Sequence, residues 1–189
     1  MNYIAFLRGI NVSGQKIIKM AELAKMFTDM KFKNVKTYIQ SGNVLFESNE
    51  KDTAKIEIKI EKQIEKTFGF DVMVFVRTKD ELERIVKAFS VPKLPPVAGQ
   101  VSHRNESMLP PKFSILFVKD KDAGKIKVPV SSEKFAVEII GTQGSNYFCS
   151  ANPDVVGSSG GANLFIEKEY KIKGTARNWK TVEKIMNLE

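Results

Sequence analysis

Apolar and polar residues follow two different periods along this chain, and the switches between them mark its elements. Tyr3 to Leu7 is a continuous apolar run ending at Arg8-Gly9, the pattern of a strand buried on both faces. Met20, Leu23, Ala24 and Phe27 then recur at the i, i+3, i+4, i+7 spacing of an amphipathic helix. Val35 to Ile39 and Val44 to Phe46 flank the turn-rich Gln40-Ser41-Gly42-Asn43 and predict a hairpin. Ile56, Ile60, Ile64 and Phe68 line one stripe of a second helix, closed by Gly69. Val72 to Val76 predicts another strand. Thr78, with Glu81 three residues on, forms a capping box ahead of the helical stripe Leu82, Ile85, Val86 and Phe89. Strand, helix, strand, strand, helix, strand and a further helix is the split βαβ order of a ferredoxin-like plait.

Residues 90–111 break this grammar. Five of the seven prolines fall here (Pro92, Pro95, Pro96, Pro110 and Pro111), and proline removes a backbone donor and fixes φ, so no regular element should cross the stretch. Beyond it the pattern returns more loosely. Phe113 to Val118 predicts a strand, and Asp120 to Lys127 a short helical or looped piece. Phe135 to Ile140 and Tyr147 to Cys149 form a hairpin around Gly141-Thr142-Gln143-Gly144, and Ala162 to Tyr170 a helix. Thr175 to Asn178 reads as an edge or inserted strand, leading into a closing helix faced by Val182, Ile185 and Met186. The expected fold class is α+β: two tandem ferredoxin-like (α/β-plait) domains. They span 1–90 and 112–189, joined by a proline-rich connector at 91–111. The halves show no obvious sequence identity, so the repeat is one of pattern.

Composition narrows the function classes. With 189 residues, 42% apolar and 28% charged, the chain can build real cores and carry a solvated surface. No apolar run approaches the roughly 20 residues of a membrane helix, so no membrane partner is expected. Cys149 stands alone, which excludes an intrachain disulfide and points to the cytoplasm. The net charge of +8 invites nucleic acid as a partner. Yet the charge is spread over both halves; the densest excess is Lys168, Lys171, Lys173, Arg177, Lys180 and Lys184. Such a cluster serves either as a solvated face or as a phosphate groove.

Catalytic constellations are thin. His103 is the single histidine and sits in the connector, so a histidine metal cluster is excluded and no metal or cofactor is expected. Cys149 lies in a predicted strand, where a buried thiol is inert. The glycine-containing loop after the first strand lacks both the GK[ST] of a P-loop and the GxGxxG of a dinucleotide fingerprint. Gly141-Thr142-Gln143-Gly144 has the GxxG spacing of KH domains but joins strands, not helices. What stands out is three polar segments at element ends: Leu7 to Gly14, Tyr38 to Asn43, and Gly174 to Thr181. Arg177 and Asn178 can make planar hydrogen bonds to a carboxylate, a phosphate or a base edge, while Trp179 beside them suits a packing anchor.

Those segments carry a resemblance. Tyr3 to Val12 (YIAFLRGINV), Lys19 to Leu23 (KMAEL), Thr37 to Val44 (TYIQSGNV) and Thr175 to Val182 (TARNWKTV) resemble, in order and spacing, the signature segments of the bacterial domain of unknown function 1697 family. The resemblance implies two α/β-plait domains and no assigned activity. It departs in two places. Family members commonly carry a Gly-Ile-Gly-Arg-Ser-Lys-Leu type segment where this chain has Val155 to Gly161 without either basic residue. Lys180 also replaces the second Asn of Arg-Asn-Trp-Asn-Thr.

The ligand-binding candidates are therefore Arg8, Asn11, Lys19, Tyr38, Gln40, Ser41, Asn43, Arg177, Asn178 and Trp179. The leading expectation is an anionic ligand (a nucleotide, a phosphometabolite or a nucleic-acid segment) held near a cleft between the two plaits. A transferase or hydrolase acting on a small phosphorylated substrate is one alternative. The other is a structural protein whose polar motifs are architectural. The sequence sets no oligomeric state.

Overall fold

In a computed structural model, which describes residues 1–89, 112–151 and 160–188, the first sheet grows from the continuous apolar run at the N-terminus. β1 (Asn2–Leu7) is followed by α1 (Met20–Asp29), β2 (Lys33–Tyr38), β3 (Asn43–Glu47), α2 (Thr53–Phe68) and β4 (Val74–Thr78). The strands form an antiparallel sheet in the order β2-β3-β1-β4. Alternation along β1 sends Tyr3, Ala5 and Leu7 to one face, where Leu23, Met26 and Phe27 of α1 and Ile56, Ile60 and Ile64 of α2 close over them. Phe27 and Phe32 meet Phe46 there with ring centroids 5.4 and 4.6 Å away. On the opposite face Ile4, Phe6, Phe75 and Arg77 are buried as well.

Both edges of this sheet are specialised. On β4 the outward amides of Val74 and Val76 each donate at 2.8 Å, to the carboxylates of Glu61 and Glu57. These glutamates lie one helical turn apart on α2, beside its apolar stripe. On β2 a bulge between Lys33 and Lys36 breaks the register, with Asn34 at φ +50°.

α3 (Lys79–Ala88) follows β4, and the boundary between the two compact units, Met1–Leu82 and Glu83–Glu189, falls within it. The second unit contains β5 (Lys112–Val118), a 3-10 turn at Asp120–Asp122, β6 (Val130–Ser132), β7 (Val137–Gln143) and β8 (Asn146–Ala151). It ends with α4 (Gly160–Glu169), β9 (Gly174–Asn178) and α5 (Trp179–Met186). Its antiparallel sheet has the order β6-β7-β8-β5-β9. α4 packs Ala162, Phe165 and Ile166 over Leu116, Val118, Tyr147 and Ala176. On the other face the Phe148 ring stacks with Phe89 at 5.1 Å and meets the Trp179 edge at 5.4 Å. Gly141 makes room for this stack: a Cβ there would come within 2.7 Å of Phe89. The fold class is thus mixed α+β, with two antiparallel sheets and five α-helices among the described residues.

Several boundaries differ from the expected ones. β2 begins at Lys33 and stops before Ile39, whose left-handed φ of +49° ends the strand. β4 runs on through Arg77 and Thr78 because pairing with Ile4 and Tyr3 continues there. The predicted turn at Gly141–Gly144 shifts: β7 extends to Gln143, opposite Asn146, and the chain reverses at Gly144-Ser145. The piece at Asp120–Lys127 contains only a single 3-10 turn, and β6 was not foreseen. The proline-rich connector, His103 and residues 152–159 lie outside the described residues.

The registers of the two sheets reveal a repeat that linear comparison hides. Phe6 faces Asn43 and Ile4 faces Arg77; in the second sheet Phe117 faces Asn146 and Ile115 faces Arg177. Ile, Phe, Asn and Arg therefore occupy the same four sites of each sheet. Loops of unequal length between them put these matches out of step in the sequence.

Candidate functional site

The first two polar segments meet at the end of β1. Asn11 sits at φ +54°, a conformation asparagine tolerates better than most residues. From there its side chain works as a clamp. Oδ1 accepts from the Ile18 amide at 2.8 Å, while Nδ2 donates to the Ile18 carbonyl at 3.0 Å and to the Gln40 carbonyl at 2.9 Å. The first pair closes the loop on itself, and the third ties it to the β2–β3 turn. Two further bonds reinforce the junction: the Leu7 amide donates to Gly42 O at 2.8 Å, and the Arg8 amide to Met73 O at 2.9 Å. Gly42 is required here, since at φ +75° a Cβ would lie 2.8 Å from both Ile10 Cδ1 and Leu7 Cβ.

The side chains at this junction divide into two groups. Asn43 is buried at the start of β3, where Nδ2 donates to the Tyr38 carbonyl and to Ser41 Oγ, both at 3.0 Å. Asn11 and Asn43 thus spend their amides on the chain itself. Gln40, Ser41 and Lys19 are exposed, while Arg8 and Tyr38 are half-buried. Lys19 precedes α1 and lies 3.5 Å from Glu22, with both side chains largely in solvent. Arg8, Lys19, Gln40 and Ser41 are the polar groups that the clamp gathers around one loop cluster.

The C-terminal triplet belongs to the second unit. Arg177 is buried, and Nη1 donates to Thr175 Oγ1 at 2.7 Å and to the Ala176 carbonyl at 3.0 Å. Burial pushes its guanidinium down to about 10, which still leaves it charged at neutral pH. Trp179 is buried against Phe148, in the anchoring role expected of it, and Asn178 is exposed at the end of β9.

Sequence reasoning missed Arg77, the counterpart of Arg177. Its side chain is 3% exposed, with Nε 3.3 Å from Glu81, Nη1 3.8 Å from Glu57, and Nη1 donating to the Val76 carbonyl at 2.8 Å. The Glu81 amide donates to Thr78 Oγ1 at 3.1 Å, which is the N-cap half of the capping box, while the Glu81 carboxylate lies beside Arg77. The missed signal was an arginine in the next-to-last position of a strand that leads directly into a helix, which occurs at both Arg77 and Arg177. Also missed was Lys16, which pins the first loop through its ammonium to the Asp71 carbonyl.

Among the described residues, no group of three or more His, Cys, Asp or Glu side chains could hold a metal. Cys149 is buried and its thiol is held well above the ordinary range by burial, so it is not a nucleophile at neutral pH.

These elements, in this order, return to the family resemblance of the sequence. A family model described as "Protein of unknown function (DUF1697)" matches residues 1–128. The chain belongs to the DUF1697 family. Its fold is similar to that of a solved structure described as the conserved bacterial protein SP0830 from Streptococcus pneumoniae. The two are 21% identical with a TM-score of 0.64, over 98% of this chain and 97% of that one. No curated protein matches the chain. Within this DUF1697 protein the match covers the Asn11 clamp and both loops it joins. No helix among the described residues is long and apolar enough to cross a membrane.

Proposed function

We propose that this DUF1697 protein binds an anionic ligand, a nucleotide, phosphometabolite or nucleic-acid segment, through the loop cluster at the end of β1. The observation that carries the reading is the Asn11 clamp. By joining the β1–α1 loop to the β2–β3 turn, it sets Arg8, Lys19, Gln40 and Ser41 around one cluster on a rigid support. Arginine and lysine supply the charge for a phosphate or carboxylate, and the exposed amide and hydroxyl supply direction. Titration calorimetry against nucleotides and short oligonucleotides tests it. Binding that weakens as salt rises, and that Arg8→Ala and Lys19→Ala reduce, is expected; no salt-sensitive binding to any of these ligands removes the reading.

The supporting scaffold is read as a ferredoxin-like plait in each unit. The strand order β2-β3-β1-β4, with α1 and α2 on one face, supports this in the first unit. The order β7-β8-β5-β9 with α4 supports it in the second, where the 3-10 turn and β6 replace a first helix.

A second reading is architectural, favoured by the inward hydrogen bonds of Asn11, Asn43 and Arg177. Melting curves separate the two. Destabilisation by Arg8→Ala and Arg177→Ala, with no ligand found, assigns the motifs to architecture. Unchanged melting of Arg8→Ala with lost binding assigns the first loop to a site.

A further inference from the structure

The second sheet carries a carboxylate that its surroundings leave unmatched. Glu138 on β7 pairs with Ser131 on β6 and with Ser150 on β8, and Ser150 pairs in turn with Phe113 on β5. Directly opposed residues share a face, so Ser131, Glu138, Ser150 and Phe113 form one row across four strands. The row lies on the Phe148 side of the sheet, because the Phe113 ring stacks with Phe148 at 5.5 Å. Phe89 stacks on Phe148 as well, and Phe89, Phe113 and Glu138 are all half-buried. Among the described residues the Glu138 carboxylate has no hydrogen bond or ion pair, and burial alone holds its carboxyl above the ordinary range. Neither neighbouring lysine reaches it. Lys134 lies over the Phe135 ring, which packs on the α4 side of the sheet. Lys112 pairs with Ala151 in a row that continues to Val137 on that same side. With 30 basic and 22 acidic side chains in the chain, cationic partners are plentiful, yet this carboxylate has none among the described residues.

We propose that this row is a binding site for a small organic cation, an alkylammonium or guanidinium compound. The Glu138 carboxylate supplies the counter-charge, and the Ser131 and Ser150 hydroxyls on either side of it accept hydrogen bonds from the cation's N–H groups. The rings of Phe113 and Phe89 attract the same charge through their π faces. A metal ion fits poorly: one carboxylate and two hydroxyls fall short of the roughly six to eight oxygens a calcium ion takes, and aromatic rings offer a hard cation no ligand. All the residues of the row belong to the second unit, so the site stands or falls apart from the loop cluster of the first.

The test is a calorimetric or NMR titration of the full chain with choline, with agmatine, and with dimethylbutanol, the uncharged carbon isostere of choline. Binding of at least one cation at concentrations up to about 10 mM, and none of the alcohol, is expected. Glu138→Gln should weaken that binding about tenfold or more, and Phe113→Leu about threefold. Glu138→Gln also controls for misfolding: removing an unmatched, half-buried charge should leave the melting temperature at or above the parental one. No binding of either cation, equal binding of choline and the alcohol, or binding untouched by Glu138→Gln overturns the proposal. So does a clearly lower melting temperature for Glu138→Gln, which would show that the carboxylate holds the sheet together. An arginine-rich peptide that binds while both free cations are ignored overturns the assignment to a small molecule.

Discussion

Asn11 shows how one side chain can hold two loops together by spending its whole amide on the backbone. Removing its amide leaves the Ile18 amide and the Gln40 carbonyl to find other partners, and places an alanine in the left-handed region. Asn11→Ala should cost about 2–4 kcal/mol, combining lost hydrogen bonds with the backbone penalty. Asn11→Gly, which restores backbone freedom alone, should recover only part of it. Thermal melts of the two variants check this, and equal stability of both with the parent would show that the loop closes without the clamp. The sequence marked Asn11 and Asn43 as unusual, because polar groups interrupt apolar patterns there. It did not show which way they turn. Gln40 is distant in sequence from Asn11, and a contact of that kind has no local periodicity to betray it.

At the level of elements, periodicity carried most of the information. α1, α2 and α3 fall where apolar spacing placed them, because each buries one regular stripe against a sheet, and both hairpins form, though with β2 ending before Ile39 and the second turn displaced to Gly144-Ser145. Edges were the weak point. The value of Glu57 lies in the bare amide of β4 that it meets, which no helical pattern reports. Arg77 completes that arrangement beside Glu57 and Glu81. Arg77→Ala should destabilise by about 3–5 kcal/mol, since it leaves a buried carboxylate without its cation. Urea unfolding measures the loss, and a change below about 1 kcal/mol would mean the backbone bonds of Glu57 suffice without the arginine. A further expectation concerns β9 and α5. Deleting residues 175–189 would strip β9 from one side of β5, leaving it an open edge, and uncover the Phe148 face, so the remainder should aggregate. A truncated chain that stays monomeric and melts cooperatively near the parental temperature would make this tail an appendage.

For the whole molecule, the strand registers tell more than the linear sequence. Two units that share Ile, Phe, Asn and Arg at matched sites look like two versions of one plan, differing in how the second replaces α1 with a 3-10 turn and an added strand. The way the first sheet ends then has a consequence for association. A bare strand edge is a template on which another chain can add, and here neither edge is bare in that sense. The bulge and lysines of β2 spoil the register an incoming strand needs, and Glu57 and Glu61 already occupy the amides of β4. The two glutamates therefore act as wardens against self-templating as well as supports of the fold. Glu57→Ala/Glu61→Ala should turn β4 into a sticky edge. Light scattering and thioflavin fluorescence at raised concentration should show association that the parent resists. If the double variant remains monodisperse while only its melting temperature falls, those carboxylates stabilise the sheet without guarding it.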